Sequence, residues 1–379
     1  MKRIKYFAYY DEAGGNSDRN IVLSAVNKID YIISSLNKIG YAVDIVSFAG
    51  IGGNKFSVSP SETRHIGTNT LKLFRAFSGP RIFNPLFRCY MASSFVLWIA
   101  FNCQKGEEII VYHSLGYAPF FNFIQRFKHL KIIGEIEEIY QDVKNDFSAS
   151  QKKNEYIFLE NCAKYIFPSR ILEQKINVNN KPHAIVHGIY DLPKTQAKKN
   201  RDGINHVVYA GTFDPNKGGA QTSILAAQYL PAKYHLHLIG FGTDEDIKRI
   251  RRLINEIGAK TDAVISFDGL KSGRAFSEFL QKCSVGLSTQ NPEDSFNDTS
   301  FPSKVLTYMS NGLSVVSFRI KALSTSSLDP YIYYAEDNTP QAIAKAIIQT
   351  AESPRDMDSS GVLRQLNDEF LRELKILLA

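Results

Sequence analysis

The chain has 379 residues, about twice the usual domain length, which sets an expectation of two domains. Its 44% hydrophobic, 22% charged and 12% aromatic residues exclude global disorder and a fibre, because disordered chains lack this much apolar surface to bury. The formal net charge of +7 arises entirely in residues 1–190, with 23 basic and 16 acidic residues against 22 and 22 in 191–379, so a partner selected by positive charge should meet the first half.

Ile4–Tyr10 reads as a buried strand, followed by a glycine-containing loop around Gly14 and Gly15 and a helix over Ile21–Ile39. The start turns polar and acidic before an apolar run of signal-peptide length is complete, which predicts no export signal. Tyr41–Phe48, Glu108–His113, Lys131–Glu137, Tyr165–Ser169 and His183–His187 read as further short strands with helical spacing between them. The longest apolar run, Cys89–Phe101, is shorter than the roughly 20 residues of a spanning helix and is expected to be a buried one. Four scattered cysteines without CxxC spacing predict reduced thiols and a cytoplasmic setting.

Residues 191–205 are polar and basic and lack apolar periodicity, which predicts a linker between a domain over 1–190 and a second over 206–355, with 356–379 as a C-terminal helix free to pack back on the first. After it the strand–helix alternation restarts at His206–Ala210, with later strands at Tyr234–Ile239, Val264–Phe267, Val285–Ser288, Ser314–Phe318 and Tyr331–Tyr334. The expected fold class is α/β, two Rossmann-like doubly wound domains facing a central cleft, with ligands in the loops after the strands.

Four segments of the second half suit an anionic ligand. Gly211–Gly219 is read as a loop carrying Thr212 and placing Lys217 just before a helix, and Gly240-Phe241-Gly242-Thr243 as a strand end where backbone can approach a ligand. Gly269-Leu270 is a turn after a strand. Phe301-Pro302-Ser303-Lys304 opens a short helix that continues through Thr307, either as a phosphate-binding helix start or as a surface helix with Pro near its first turn. Asp244-Glu245-Asp246 reads as an acidic first turn of a helix rather than a metal motif. His235 and His237 share one strand face, but no third ligand is evident, so no metal is expected.

Taken together, these segments resemble the donor-binding domain of GT-B glycosyltransferases, particularly the family 4 or group 1 enzymes, over most of residues 205–350. The resemblance implies a metal-independent glycosyltransferase that needs no cofactor and takes a nucleotide-diphosphate sugar, a UDP-sugar first. It implies that Lys217, Ser303 and Lys304 bind the diphosphate, and that Gly211, Thr212, Gly240, Phe241, Gly242, Thr243, Gly269, Leu270, Phe301, Pro302 and Thr307 surround the donor. Gly14 and Gly15 match the family's first glycine loop. The family's paired glutamates fall here on Thr299 and Thr307, which marks a divergent branch, and Asn297 and Asp298 are expected to contact the donor sugar instead.

The first half is expected to take a saccharide or lipid-linked saccharide acceptor, in bacterial surface polysaccharide assembly. His113, Glu135 and Glu137 end two strands, and an inverting transfer would use Glu137 or Glu135 as general base. No acidic residue lies between Glu62 and Glu107, where Arg64, Lys72, Arg75, Arg81, Arg88 and Lys105 alternate with aromatic residues. Residues 64–105 therefore suit either an anionic membrane surface, which would make the protein peripheral on the inner face, or an aromatic core with solvated edges. Nucleic acid is not expected as a partner. A sugar-nucleotide epimerase and a non-catalytic sugar-nucleotide-binding subunit are the rival readings.

Overall fold

The computed structural model describes residues 1–12, 18–143, 147–194, 197, 200, 202–215, 217–290 and 299–379. It divides into two compact units, one of residues 1–187 with 369–379 and one of residues 188–368.

The strands of the first unit are β1 (Lys2–Ala8), β2 (Tyr41–Ser47), β3 (Ser57–Ser59), β4 (Glu62–Ile66), β5 (Asn69–Leu73), β6 (Ala76–Ser78), β7 (Glu108–Tyr112), β8 (Lys131–Glu135), β9 (Lys164–Phe167) and β10 (His183–Ile185). The main sheet runs β10-β9-β8-β7-β1-β2-β5-β4 and is parallel except for the terminal β4–β5 pair. β3 and β6 form a separate antiparallel ribbon. The strands between residues 57 and 78 carry no sequence signal of the buried kind, because they are short and either polar or exposed on one face. Glu62–Ile66 alternates half-buried with exposed residues along its whole length.

In the helix Leu23–Lys38, residues Val26, Ile29, Ile32, Ile33 and Leu36 recur every three or four positions and are buried. The core between sheet and helices is aromatic. Phe7 meets Phe121 at 5.2 Å and Phe95 at 5.9 Å in edge-on geometry, the arrangement ring quadrupoles favour. The end of the last helix, Ser359–Leu377, belongs to this unit: Phe370 stacks on Tyr31, and Glu373 accepts the Ile185 N–H at 2.8 Å, satisfying a donor on edge strand β10.

One expectation is corrected here. The apolar run at Cys89–Phe101 lies in a helix, Asn84–Asn102, but that helix is not buried: only Phe95 and Ile99 are. With the 3-10 turn Arg81–Phe83 it makes 22 helical residues, long and apolar enough by length and composition to cross a membrane. The run read as too short because helical geometry extends through Asn84–Arg88, where Pro85 in the first turn costs no hydrogen bond. Leu86 (65% exposed), Tyr90 (44%), Leu97 (56%) and Phe101 (84%) recur at helical spacing along its outer face.

The second unit holds β11 (Asn205–Thr212), β12 (Tyr234–Phe241), β13 (Val264–Gly269), β14 (Val285–Ser288), β15 (Ser314–Ser317) and β16 (Ile332–Tyr334), all parallel, in the order β13-β12-β11-β14-β15-β16. This is the doubly wound order with its topological switch between β11 and β14, the position where such sheets open a ligand crevice. β11 and β14 pair only through Val207–Val285 and Val208–Gly286 before they diverge.

Candidate functional site

Where β11 leaves β14, the Tyr308 hydroxyl accepts the Ala210 N–H at 2.9 Å and donates to the Leu287 carbonyl at 3.2 Å, bridging two strands that no longer pair with each other. The ring is fully buried and lies against Gly286, whose missing Cβ would sit 2.3 Å from Tyr308 Cγ. Tyr308 thereby fixes the helix Lys304–Ser310 against the carboxyl end of the sheet, with Lys304 at its start.

The Lys304 ammonium donates to the Tyr209 hydroxyl at 3.0 Å and sits 4.3 Å from the centre of that ring; the same hydroxyl donates to the Thr212 carbonyl at 3.0 Å. Among the described residues, no carboxylate lies within ion-pair distance of Lys304. Burial, followed by repulsion from Lys217, pulls its pKa down to about 7. A cation held this way is short of an anion.

Beside it is a pocket of about 200 Å³. Its lining includes Gly211, Gly240, Phe241, Leu270, Lys304 and Thr307, six residues singled out in the sequence, together with Ala210, Ile239, Lys271, Phe276 and Tyr308, which were not. Phe241 and Leu270 are 58% and 69% exposed, unusual for large apolar groups, and with Phe276 they offer an apolar wall next to the cation. A pocket with apolar walls and a few converging polar groups is the ordinary form of a small-molecule site.

One glycine, Gly211, is corrected from loop to strand. Gly211 and Gly240 are partners in the β11–β12 ladder. A Cβ on Gly240 would lie 1.8 Å from the Gly211 carbonyl oxygen, and one on Gly211 would lie 2.6 Å from Lys304 Nζ. Strand packing demands the first glycine, whereas a side chain at the second would displace the end of Lys304.

Thr212 accepts the Asp214 N–H through its hydroxyl. Lys217 is exposed in the turn before the helix Gly219–Ala227. Gly242 packs on Asp246, and Thr243 is the N-cap of the helix Asp244–Gly258, in a capping box with Asp246, which is the role expected of that acidic turn. Gly269 ends β13 with φ +74°, turning the chain into Leu270. Phe301 and Pro302 are buried, and the helix begins at Lys304 with exposed Ser303 as its N-cap. Thr299 is buried. Gly14, Gly15, Asn297 and Asp298 lie outside the described residues.

In the first unit His113 and Glu135, expected at strand ends, are interior residues. The His113 ring stacks on Phe158, its Nε2 is 3.3 Å from Glu155 Oε1, and burial lowers its pKa to about 4. Glu135 is fully buried and accepts a hydrogen bond from Tyr6; burial, followed by the nearby Glu137 charge, raises its pKa above the usual carboxylate range. Strand polarity alone did not reveal that β8 is covered at its end. Glu137 is half-buried and ion-paired with Lys28.

Residues 204–353 match the family model of Glycosyl transferases group 1. No curated protein matches the sequence. Among solved structures, the sucrose-phosphate synthase of Thermosynechococcus elongatus is 14% identical with a TM-score of 0.67, over 100% of this chain and 95% of that one. The Anabaena protein HepE in complex with UDP and glucose is 12% identical with a TM-score of 0.68, over 100% and 99%. An α,α-trehalose-phosphate synthase from Burkholderia xenovorans in complex with glucose-6-phosphate is 12% identical with a TM-score of 0.64, over 100% of both chains. The chain has the GT-B fold, and its residues 204–353 are a group 1 glycosyl transferase unit. The protein is a glycosyltransferase.

Proposed function

We propose that the protein transfers a sugar from a nucleotide-diphosphate sugar, a UDP-sugar first, to a saccharide or lipid-linked saccharide acceptor in the assembly of a bacterial surface polysaccharide. The observation that carries the donor assignment is Lys304, a partly desolvated cation with Lys217 nearby, at the edge of a pocket whose other walls suit a base and a sugar. A diphosphate supplies the negative charge that both lysines lack. The HepE complex with UDP and glucose supports a UDP-sugar on this fold.

Glu137 is the proposed general base, because it alone of the three expected catalytic residues reaches solvent, whereas Glu135 and His113 are buried. The test is a thermal-shift panel of UDP-, GDP-, dTDP- and CMP-sugars, followed by sugar-transfer assays on Glu137→Gln with the donor that binds. One donor class should raise the melting temperature. Glu137→Gln should lower turnover by roughly 100-fold or more without changing donor affinity. No shift with any donor refutes the donor assignment, and unchanged turnover removes Glu137 as the base.

The protein acts in the cytoplasm, peripherally on the inner face of the membrane, where a lipid-linked acceptor resides. Support comes from the outer stripe Leu86, Tyr90, Leu97 and Phe101, flanked by exposed Arg81, Arg88 and Lys105, since apolar and basic groups together suit an anionic bilayer surface. Arg64, part of the same basic stretch in sequence, is instead paired with Asp11 at 2.8 Å and with Glu62. Co-sedimentation with phosphatidylglycerol vesicles should be strong at low salt, weak at high salt, and lost in Leu97→Glu/Phe101→Glu. Equal recovery with and without vesicles would refute docking.

A further inference from the structure

Parallel pairing of β11 with β12 sets His206 directly beside His235, and His237 follows two residues on along the same face of β12. One ring nitrogen from each of the three lies within 4.8 Å of the other two. His206 and His237 are buried, and the two rings approach through His206 Nδ1 and His237 Nε2 at 2.8 Å.

The outer nitrogens of these rings are already engaged. His206 Nε2 is 3.0 Å from Asp202 Oδ2 and 3.1 Å from Asn200 Nδ2. His237 Nδ1 is 3.0 Å from Asp268 Oδ2. His235 Nε2 is 2.9 Å from Ser266 Oγ, which itself donates to Asp268 at 2.7 Å. His206 and His237 thus each have one nitrogen bonded outward to a carboxylate while their other nitrogens meet, and the His235 ring stacks on His237 with centroids 3.8 Å apart. Metal-binding histidines make outward bonds of this kind, in which an outer acceptor fixes the tautomer and raises the basicity of the ligating nitrogen.

We propose that His206, His235 and His237 form a binding site for a divalent first-row transition metal, zinc in the first instance, with the fourth position left to water. Imidazole suits zinc, and three protein ligands plus an open position is an established zinc arrangement. At zinc–nitrogen distances of about 2.0–2.1 Å, tetrahedral ligand atoms stand about 3.3 Å apart, so His206 and His237 separate by about half an ångström on binding. The proton in the hydrogen bond between them is released to solvent as zinc takes its place.

The bound metal would cross-link β11 to β12 and, through Asp268, secure β13. Phe279 covers His237 edge-on at 5.2 Å, and it lies on the helix Gly273–Gln281, whose Phe276 lines the pocket. The histidines and the pocket thus both meet the helix Gly273–Gln281, through Phe279 and Phe276 respectively.

The test uses tag-free full-length protein stripped with EDTA and titrated with zinc chloride against a chromophoric chelator. One equivalent per chain should bind with sub-micromolar affinity and raise the melting temperature, and EDTA should reverse the shift. His206→Gln, His235→Gln and His237→Gln should each weaken binding by about 10-fold or more. Cobalt(II) added to the wild-type chain should give the visible absorption bands of a tetrahedral nitrogen site, a readout that needs no variant. Absence of zinc binding by the wild type, an octahedral cobalt spectrum, or equal zinc affinity in all three folded variants would overturn the proposal.

Discussion

Lys304→Ala lowers the affinity for a UDP-sugar by about 100-fold, the scale of losing a partly buried, hydrogen-bonded charge from an anion. The pH dependence makes this prediction specific. In the free protein Lys304 is half-charged near pH 7, because burial and Lys217 hold its pKa at about 7. A bound diphosphate favours the ammonium form and raises that pKa, so binding takes up a proton above pH 7. Donor affinity is therefore flat below about pH 7 and falls by up to about tenfold per pH unit above it, until the pKa of the complex is reached. A sugar nucleotide, unlike free UDP, has no phosphate proton that titrates near neutrality, so the slope belongs to the protein. Isothermal titration from about pH 6 to pH 9 measures it. Lys304→Met should abolish the slope, and Lys217→Ala should move it to higher pH by removing the repulsion. A wild-type affinity independent of pH, or equal donor affinity in Lys304→Ala, would remove the lysine from diphosphate binding.

Gly240→Ala destabilises the second unit by about 3 kcal/mol or more, at the top of the range for overpacking. The new methyl would lie 1.8 Å from the Gly211 carbonyl oxygen, a backbone atom of the paired strand that no side-chain rotation can clear. β12 must part from β11 beside the pocket to admit it. Gly258→Ala is the matched control: that glycine ends an exposed helix and has nothing within 4 Å of the added Cβ, so the change is neutral or stabilising by up to about 1 kcal/mol. Urea denaturation of the two variants beside the wild type measures the contrast. Equal midpoints would show that the ladder is looser than its geometry.

The strand–helix alternation was legible because period-2 and period-3.6 patterns are local. It located every strand of the second unit to within a few residues and the parallel strands of the first apart from β5. It did not find β3, β4, β5 or β6, which are three to five residues long and held by their neighbours more than by an apolar pattern of their own. The motif residues fared similarly: Gly211, Gly240, Phe241, Leu270, Lys304 and Thr307 meet at one pocket, whereas the parts of Phe276 and Tyr308 depend on how a helix lies on the sheet. Tyr308 follows Thr307 in the same short helix, but its bridge from Ala210 to Leu287 spans strands whose neighbouring positions are far apart in the chain.

By itself the sequence determined the α/β alternation, the restart that announces a second doubly wound sheet, the charge asymmetry, and which loops and strand ends carry the chemistry. Tertiary structure decided how much of that chemistry is exposed and what stands beside it. It buried Glu135 and His113, opened one face of the Asn84–Asn102 helix to solvent, depressed Lys304, and brought His206 beside His235. The physical reason is the range of the interactions. Periodicity and capping act over a few residues of chain, whereas desolvation and strand register depend on neighbours brought together only by folding.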